Sequence, residues 1–529
     1  MKRFRREARQ KDPVVQNTSK WNVKKLQEMK CRKEFERKIT QKFLASMHSQ
    51  GSSVELAWEE LKGAVVEVAT EMCRVSRRKR GIKRTKWWNE EVQKAVVAKK
   101  VAYRKMLEVE TDESRQRYVE AKREAKRVVR RAKNEEWNDL GRELEADAQG
   151  GQKRFWSRLR SLGDRGRGEV CSRVKDEDGL IVGEGELVVD RWKRYFTGLY
   201  EGEGEEVESS RVREGSGEEI EEIEMEEMAR ELRKMKNGKS PGVCGIQVEL
   251  LKAGGLSLMK WMQMVFNLVM KCGKAPRDWG RAVIIPIYKK GCRLTCSNYR
   301  GISLLSVAGK WFGKVLNTRL RESTEGRVME EQGGFRAKRS CVDQVFTLRQ
   351  AMEKVIEKRR EIFVAFIDLE KAYDRVNRMK MWEALRKAQV GEGLVRAVKS
   401  LYIECEARVK VGEKHSEWFK VDQGVRQGCT LSPWLFNVFL DNIVKEARKG
   451  FKEGVRLRNE TVDVLLFADD MVLVADSEES LQVNLKKLDE TLTKWEMKMN
   501  WEKTEVMKVG RERGHCCVEL GTGSWNRWR

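Results

Sequence analysis

The stretch Val462 to Ala475, VDVLLFADDMVLVA, sets two apolar, β-prone runs on either side of Asp469 and Asp470. Runs of this kind joined by so short a polar break predict a β-hairpin with two carboxylates at its tip. Adjacent acids at a tight turn raise each other's pKa unless a cation neutralises them, which points to a divalent metal. An isolated Asp-Asp is more often a solvated turn, so a second acid-tipped strand decides the matter. In Glu361 to Arg375, EIFVAFIDLEKAYDR, the apolar strand Phe363 to Ile367 delivers Asp368 at its end. Two such strands lying side by side bring three carboxylates to one point, the arrangement that two-metal nucleotidyl transfer requires. Hard cations such as Mg²⁺ (or Mn²⁺) prefer these oxygen ligands and keep water and substrate phosphates as the others.

Between the two strands lies Asp422 to Asp441, DQGVRQGCTLSPWLFNVFLD. It reads as a Gly-rich turn leading into a helix whose Leu435, Phe436, Phe439 and Leu440 face a core. Gly428 permits close backbone approach to a ligand, and Gln427 offers an amide to a sugar or base edge. Alone, the segment is equally a simple turn and a capped helix.

Composition limits what such a chain can serve. Lys and Arg number 109 against 83 Asp and Glu, a formal charge of +26 over 529 residues, and an excess of that size favours a polyanionic partner. No run approaches the roughly 18 uninterrupted apolar residues of a membrane span; the nearest, Leu256 to Met270, is broken by Lys260 and Gln263. A soluble protein without a membrane partner is expected. The opening MKRFRREARQKD has charge with no apolar segment behind it, which predicts no secretory signal and an intracellular location, nucleus or cytoplasm. Twelve scattered cysteines then read as free thiols, and the three histidines His48, His415 and His515 are too few for a histidine-rich metal centre.

Along the chain, residues 1–165 read as a basic helical region. Tyr118, Ala121, Ala125, Val128 and Ala132 recur at helical spacing with Lys and Arg on the other faces. Just upstream, Arg74 to Lys86 carries eight basic residues and no acid and runs into Trp87 and Trp88, a mixture that can hold a phosphate backbone and stack on bases. Residues 166–235 read as a connector that includes a Glu- and Gly-rich linker, 236–510 as the catalytic fold, and 511–529 as a short tail.

Taken together, these segments resemble the reverse transcriptases of LINE-type retrotransposons, those without long terminal repeats. The F/Y-x-D-x-x-x-A-F/Y-D element stands at Phe366, Asp368, Ala372, Tyr373 and Asp374. The R-Q-G-x-x-L-S-P element stands at Arg426, Gln427, Gly428, Leu431, Ser432 and Pro433, and the F/Y-A-D-D box at Phe467 to Asp470. The resemblance starts at NGKSPGVCGI (Asn237 to Ile246), passes through VIIPIYKKG (Val283 to Gly291), NYRGISLLS (Asn298 to Ser306) and EQGGFRAKRS (Glu331 to Ser340), and ends at Met507.

The resemblance implies an α+β right-hand polymerase, with palm and fingers built from antiparallel sheet and helices behind the basic helical region. It implies an RNA template, a DNA primer or nicked target, deoxynucleoside triphosphates and Mg²⁺. Asp368, Asp469 and Asp470 would be the catalytic, metal-binding triad, and Tyr373 would stand under the sugar and exclude a 2′-hydroxyl. Gln427, with Gly428 beside it, would seat the incoming nucleotide. Lys289, Arg300 and Lys503 would reach its phosphates. Arg336, Lys338 and Arg339 would lie against the template. Cys244 departs from the family's usual Asp and Cys341 from its frequent Thr, and no endonuclease of the family is present, so a piece of a longer polyprotein is expected. An inactive remnant that only binds nucleic acid, or an RNA-copying or intron-type relative, would share the same core.

Overall fold

The computed structural model describes residues 21–46, 53–73, 87–109, 111–150, 173–183, 185–202, 221–457, 460–510, 519–520 and 524–525. The basic run Arg74 to Lys86, the linker core 203–220 and His515 lie outside them. The chain divides into two compact units, one of residues 77–170 and one of 1–76 with 171–529.

In the larger unit, helices α1 (Met29–Ser46) and α2 (Val54–Met72) come first. Their Phe35, Ile39, Trp58, Leu61 and Val65 are fully buried and join the main core. Polar ties fix them there: the Trp58 indole N–H donates to Asp278 at 3.4 Å, Lys62 pairs with the same carboxylate at 2.6 Å, and Glu55 accepts the Arg277 N–H at 2.9 Å. The amino-terminal region expected over 1–165 therefore falls in two places.

The smaller unit is built on α3 (Glu90–Glu108) and α4 (Asp112–Gly150). The α4 stripe behaves as its spacing predicts, since Ala125, Val128 and Ala132 are buried and the latter two pack with Val92 of α3. Asn89 caps α3 by accepting the Val92 N–H at 2.9 Å. Lys133 stands over the Trp87 ring, 4.8 Å from its centroid.

Further along the larger unit, α5 (Gly185–Tyr200) and α6 (Gly255–Cys272) precede a hairpin of β1 (Arg281–Tyr288) and β2 (Tyr299–Leu305). α5 lays Trp192, Phe196 and Tyr200 on this hairpin's Ala282 and Ile284. Next come two helices, α7 (Val307–Thr324) and α8 (Cys341–Glu357), then β3 (Ile362–Ile367) and β4 (Glu406–Val411), which pairs parallel with β1. There follow α9 (Ser432–Arg448), β5 (Val464–Phe467), β6 (Asp470–Ala475), α10 (Glu478–Lys494) and β7 (Glu505–Val509).

The central sheet runs β5-β6-β3-β7, antiparallel throughout. Phe363, Ala365 and Ile367 of β3 enter the main core, whereas Ile362 and Val364 meet Ala351 and Val355 of α8 on the other face. Cover on both faces explains why this strand is an unbroken apolar run rather than an alternating one. On the main-core side α10 lies against β6 and β3 and packs on α9. Its Leu481, Leu485, Leu488 and Leu492 are buried, each contributing about 1.5–3 kcal/mol of transfer free energy. Leu435, Phe436, Phe439 and Leu440 of α9 are fully buried, as their spacing predicts. Among the described residues, no helix is long and apolar enough to cross a membrane.

Candidate active site

The carboxylate tip is a two-residue turn. Phe467 pairs with Asp470 across the β5–β6 hairpin, so Ala468 and Asp469 form its loop. Ala468 takes a φ of 62°, a left-handed conformation that costs a residue with a Cβ about 1–2 kcal/mol. The segment before α8 holds it there. Gln332, 1% exposed, accepts the Ala468 N–H on Oε1 at 2.9 Å and donates Nε2 to the Ala468 carbonyl at 3.4 Å. Backbone bonds from Gly333 N–H to the Leu466 carbonyl, 2.8 Å, and from Leu466 N–H to the Glu331 carbonyl, 3.1 Å, edge the strand below. At Gly334 backbone meets backbone, since a Cβ there would stand 2.2 Å from the Ala468 nitrogen. The EQGGF segment is thus a brace for the tip, and Gln332, which lies within the EQGGFRAKRS element without a role assigned to it there, is a positioning residue for the site.

Asp368 follows directly on β3. Ile367 pairs with Met471, and continuing that antiparallel register sets Asp368 across from Asp470. The Asp368 carbonyl accepts the Asn500 N–H at 2.8 Å, and Lys503 donates Nζ to its Oδ2 at 3.2 Å. The hairpin and the end of β3 therefore bring the three acids together. Burial raises the Asp470 carboxyl above its ordinary range, and the charges of Asp469 and Asp368 raise it further, against a downward pull from Lys289. Burial, then the Asp469 charge, likewise lifts the Tyr373 phenol.

Among the described residues no group of three or more His, Cys, Asp or Glu side chains forms a ready-made metal cage. The donor set still fits a hard divalent ion. It is all oxygen, its charges repel one another, and the counter-charges near it are the Lys503 ammonium on Asp368 and the Lys289 charge acting on Asp470.

A second set of groups surrounds the R-Q-G loop. Gly428 has a φ of 119°, and a Cβ on it would lie 2.7 Å from the Ser303 carbonyl oxygen, so the loop sits tight against β2. Gln427 donates Nε2 to both oxygens of Asp374, at 3.2 and 3.3 Å. Burial pushes the Asp374 carboxyl up to about 6, while hydrogen bonds from Tyr200 and Gln427 and the charges of Lys371 and Arg300 oppose the rise. Tyr373 lies half-buried with its ring stacked on Phe436, centroids 4.6 Å apart, and its buried hydroxyl has no hydrogen-bond partner in the structure.

Lys289 and Arg300 stand exposed on the β1–β2 hairpin, where the Lys289 N–H bonds the Asn298 carbonyl at 2.9 Å. The three basic residues expected on the template side part company. Arg336 is committed internally, donating to Glu325 at 2.9 Å and to the Met329 carbonyl at 3.0 Å, so its guanidinium ties the brace together. Arg339 pairs with Glu330. Lys338 is exposed, with a φ of 61°. Of the two departures from the motif, Cys244 is buried with Sγ 3.2 Å from the Ser306 hydroxyl, and Cys341 opens α8 after a capping box of Ser340 and Asp343.

An antiparallel sheet presenting carboxylates from a hairpin tip and an adjoining strand end, covered by helices and joined to a cationic β-hairpin, has the form expected of the palm and fingers of a right-hand polymerase. Residues 287–517 match the reverse transcriptase (RNA-dependent DNA polymerase) family. It is similar to the retrovirus-related Pol polyprotein of the type-1 retrotransposable element R2 from Nasonia vitripennis, 27% identical over 49% of this chain and 25% of that one. It is also similar to a 149 kDa protein of the transposon TX1 from Xenopus laevis, 26% identical over 70% of this chain and 29% of that one. The chain therefore spans a quarter to under a third of these relatives' length. Among solved structures it aligns with telomerase from Candida albicans, at 12% identity and a TM-score of 0.35, over 51% of this chain and 50% of that one.

Proposed function

We propose that this chain is an RNA-directed DNA polymerase of a retrotransposon without long terminal repeats, extending a primer 3′-hydroxyl with deoxynucleoside triphosphates on an RNA template. The observation that carries the reading is the gathering of Asp368, Asp469 and Asp470 at one edge of the sheet, close enough for two of the charges to raise the third. Asp368, Asp469 and Asp470 would hold Mg²⁺ or Mn²⁺, which when bound lowers the pKa of the primer hydroxyl and offsets charge on the phosphorus oxygens. The rest falls to the protein's own groups. Lys289 and Arg300 grip the triphosphate, Lys503 moves from Asp368 to a phosphate oxygen, and Gln427 seats the nucleotide. Lys338 faces the template strand.

Tyr373 distinguishes a DNA-making palm from an RNA-making one. Its ring is held flat by Phe436, and a steric gate needs that stiffness to exclude a 2′-hydroxyl. Tyr373→Ala is expected to keep deoxynucleotide incorporation measurable and to raise ribonucleotide use by about tenfold or more, since shape exclusion rather than a hydrogen bond is lost. Single-nucleotide extension with matched deoxy and ribo substrates measures this. An unchanged ratio, with both activities falling alongside thermal stability, would leave Tyr373 a packing residue.

The smaller unit, 77–170, is expected to add affinity through phosphate neutralisation. Replacing it with a Gly/Ser linker should weaken template binding and flatten its salt dependence by about 0.7 in slope per lost single-strand phosphate contact. A slope equal to that of the intact chain would assign the unit to something other than nucleic acid.

A further inference from the structure

The R-Q-G loop is held by a residue far upstream of it, outside the span that matches the reverse transcriptase family. Tyr200, the last residue of α5, is 6% exposed and donates its hydroxyl to Asp374 Oδ1 at 3.3 Å. Its own carbonyl accepts the N–H groups of Asp422 at 3.0 Å and Gln423 at 3.4 Å, and Gln423 returns a side-chain bond to the Leu199 carbonyl at 3.1 Å. The end of α5 is therefore stitched to the segment that leads into Gln427, while the Tyr200 ring stacks on Phe196, 6.0 Å away and nearly parallel.

Asp374 links this helix end to the amide. An ionised carboxylate accepts hydrogen bonds and donates none, so it dictates which end of a facing amide turns toward it. Both Asp374 oxygens take the Gln427 Nε2, which leaves Oε1 as the amide end available to a ligand. Each donor to the carboxylate favours its charged, acceptor-only form, and burial opposes that form. Tyr200 supplies one of those donors from a separate element.

We propose that Tyr200 is a positioning residue for the incoming nucleotide: through Asp374 it locks the Gln427 amide with Oε1 presented to a hydrogen-bond donor of the nucleotide, such as a sugar hydroxyl. This rests on the polymerase reading above. It assigns to α5 a part in substrate binding in addition to its packing on the β1–β2 hairpin.

The test is single-nucleotide extension by the 529-residue chain on a primed RNA template, with wild type, Tyr200→Phe, Gln427→Ala and the double variant. Tyr200→Phe removes only the hydroxyl and keeps the stack on Phe196. It is expected to raise the deoxynucleotide KM about 3- to 10-fold, the effect of one lost hydrogen bond, with kcat and Tm close to wild type. In the Gln427→Ala background the same change should add nothing, because the two side chains act as one unit. An unchanged KM in Tyr200→Phe, or an equal further rise in the Gln427→Ala background, would overturn the proposal. So would a loss appearing in kcat and Tm together. A wild-type chain that incorporates no nucleotide at all would instead sink the polymerase reading, and the positioning role with it.

Discussion

Asp469→Asn is expected to lower metal-dependent primer extension by roughly three orders of magnitude or more, the scale of losing several kcal/mol of transition-state charge stabilisation. The substitution keeps the shape of the side chain and the two-residue turn, in which Asp469 follows the left-handed Ala468. It also removes one of the two charges that raise Asp470, so that carboxyl should return toward its ordinary range. RNA affinity should stay within about twofold, because the grip on a phosphate backbone comes from cationic groups elsewhere. Filter binding and extension on the same preparation separate the two effects. Near-normal extension would remove Asp469 from the site, and a parallel loss of RNA binding and Tm would make it a folding residue.

Gly334→Ala is expected to be almost as damaging, although residue 334 bears no chemistry. The added methyl would stand 2.2 Å from the nitrogen and 2.8 Å from the Cα of Ala468, both backbone atoms, so the hairpin tip has to move. A displacement of about 1 Å in the reacting groups can cost on the order of a hundredfold in rate. Overpacking of this kind costs about 1–3 kcal/mol, which in a unit this large lowers Tm by several degrees without unfolding it. Gly326→Ala is the control, since nothing lies within 4 Å of its Cβ position. If Gly334→Ala extends primers as well as Gly326→Ala does, the brace is not what places the carboxylates.

Much of the site is legible in the sequence because it is written in short, local patterns. The VDVLLFADDMVLVA stretch carries the hairpin and its tip, and the apolar run before Asp368 carries the neighbouring strand. Their antiparallel pairing in the structure is the simplest way to bury both runs. The helical stripe Tyr118 to Ala132 and the core-facing Leu435, Phe436, Phe439 and Leu440 are readable from period alone. The hidden part depends on partners distant in sequence. Gln332 reaches across 136 residues to Ala468, and Tyr200 across 174 to Asp374, and neither leaves any periodic trace around itself. Nothing in residues 21–73 signals that Trp58 and Lys62 meet Asp278, so on charge and helix propensity alone they merge with residues 74–165 into one region. Arg336 is legible as a cation near the template motif, but its neighbours Glu325 and the Met329 carbonyl decide its role in the fold, and they lie on the preceding helix end and turn.

That these carboxylates serve DNA synthesis on RNA is tested most directly by run-off extension of a labelled DNA primer annealed to an RNA template, by the 529-residue chain with all four deoxynucleoside triphosphates and Mg²⁺. The predicted result is a full-length product that is resistant to ribonuclease, is lost when the metal is chelated, and is lost in Asp469→Asn. A chain that binds the primed template with undiminished affinity yet adds no nucleotide with Mg²⁺ or Mn²⁺ would contradict the claim, as would one that extends the primer only with ribonucleotides.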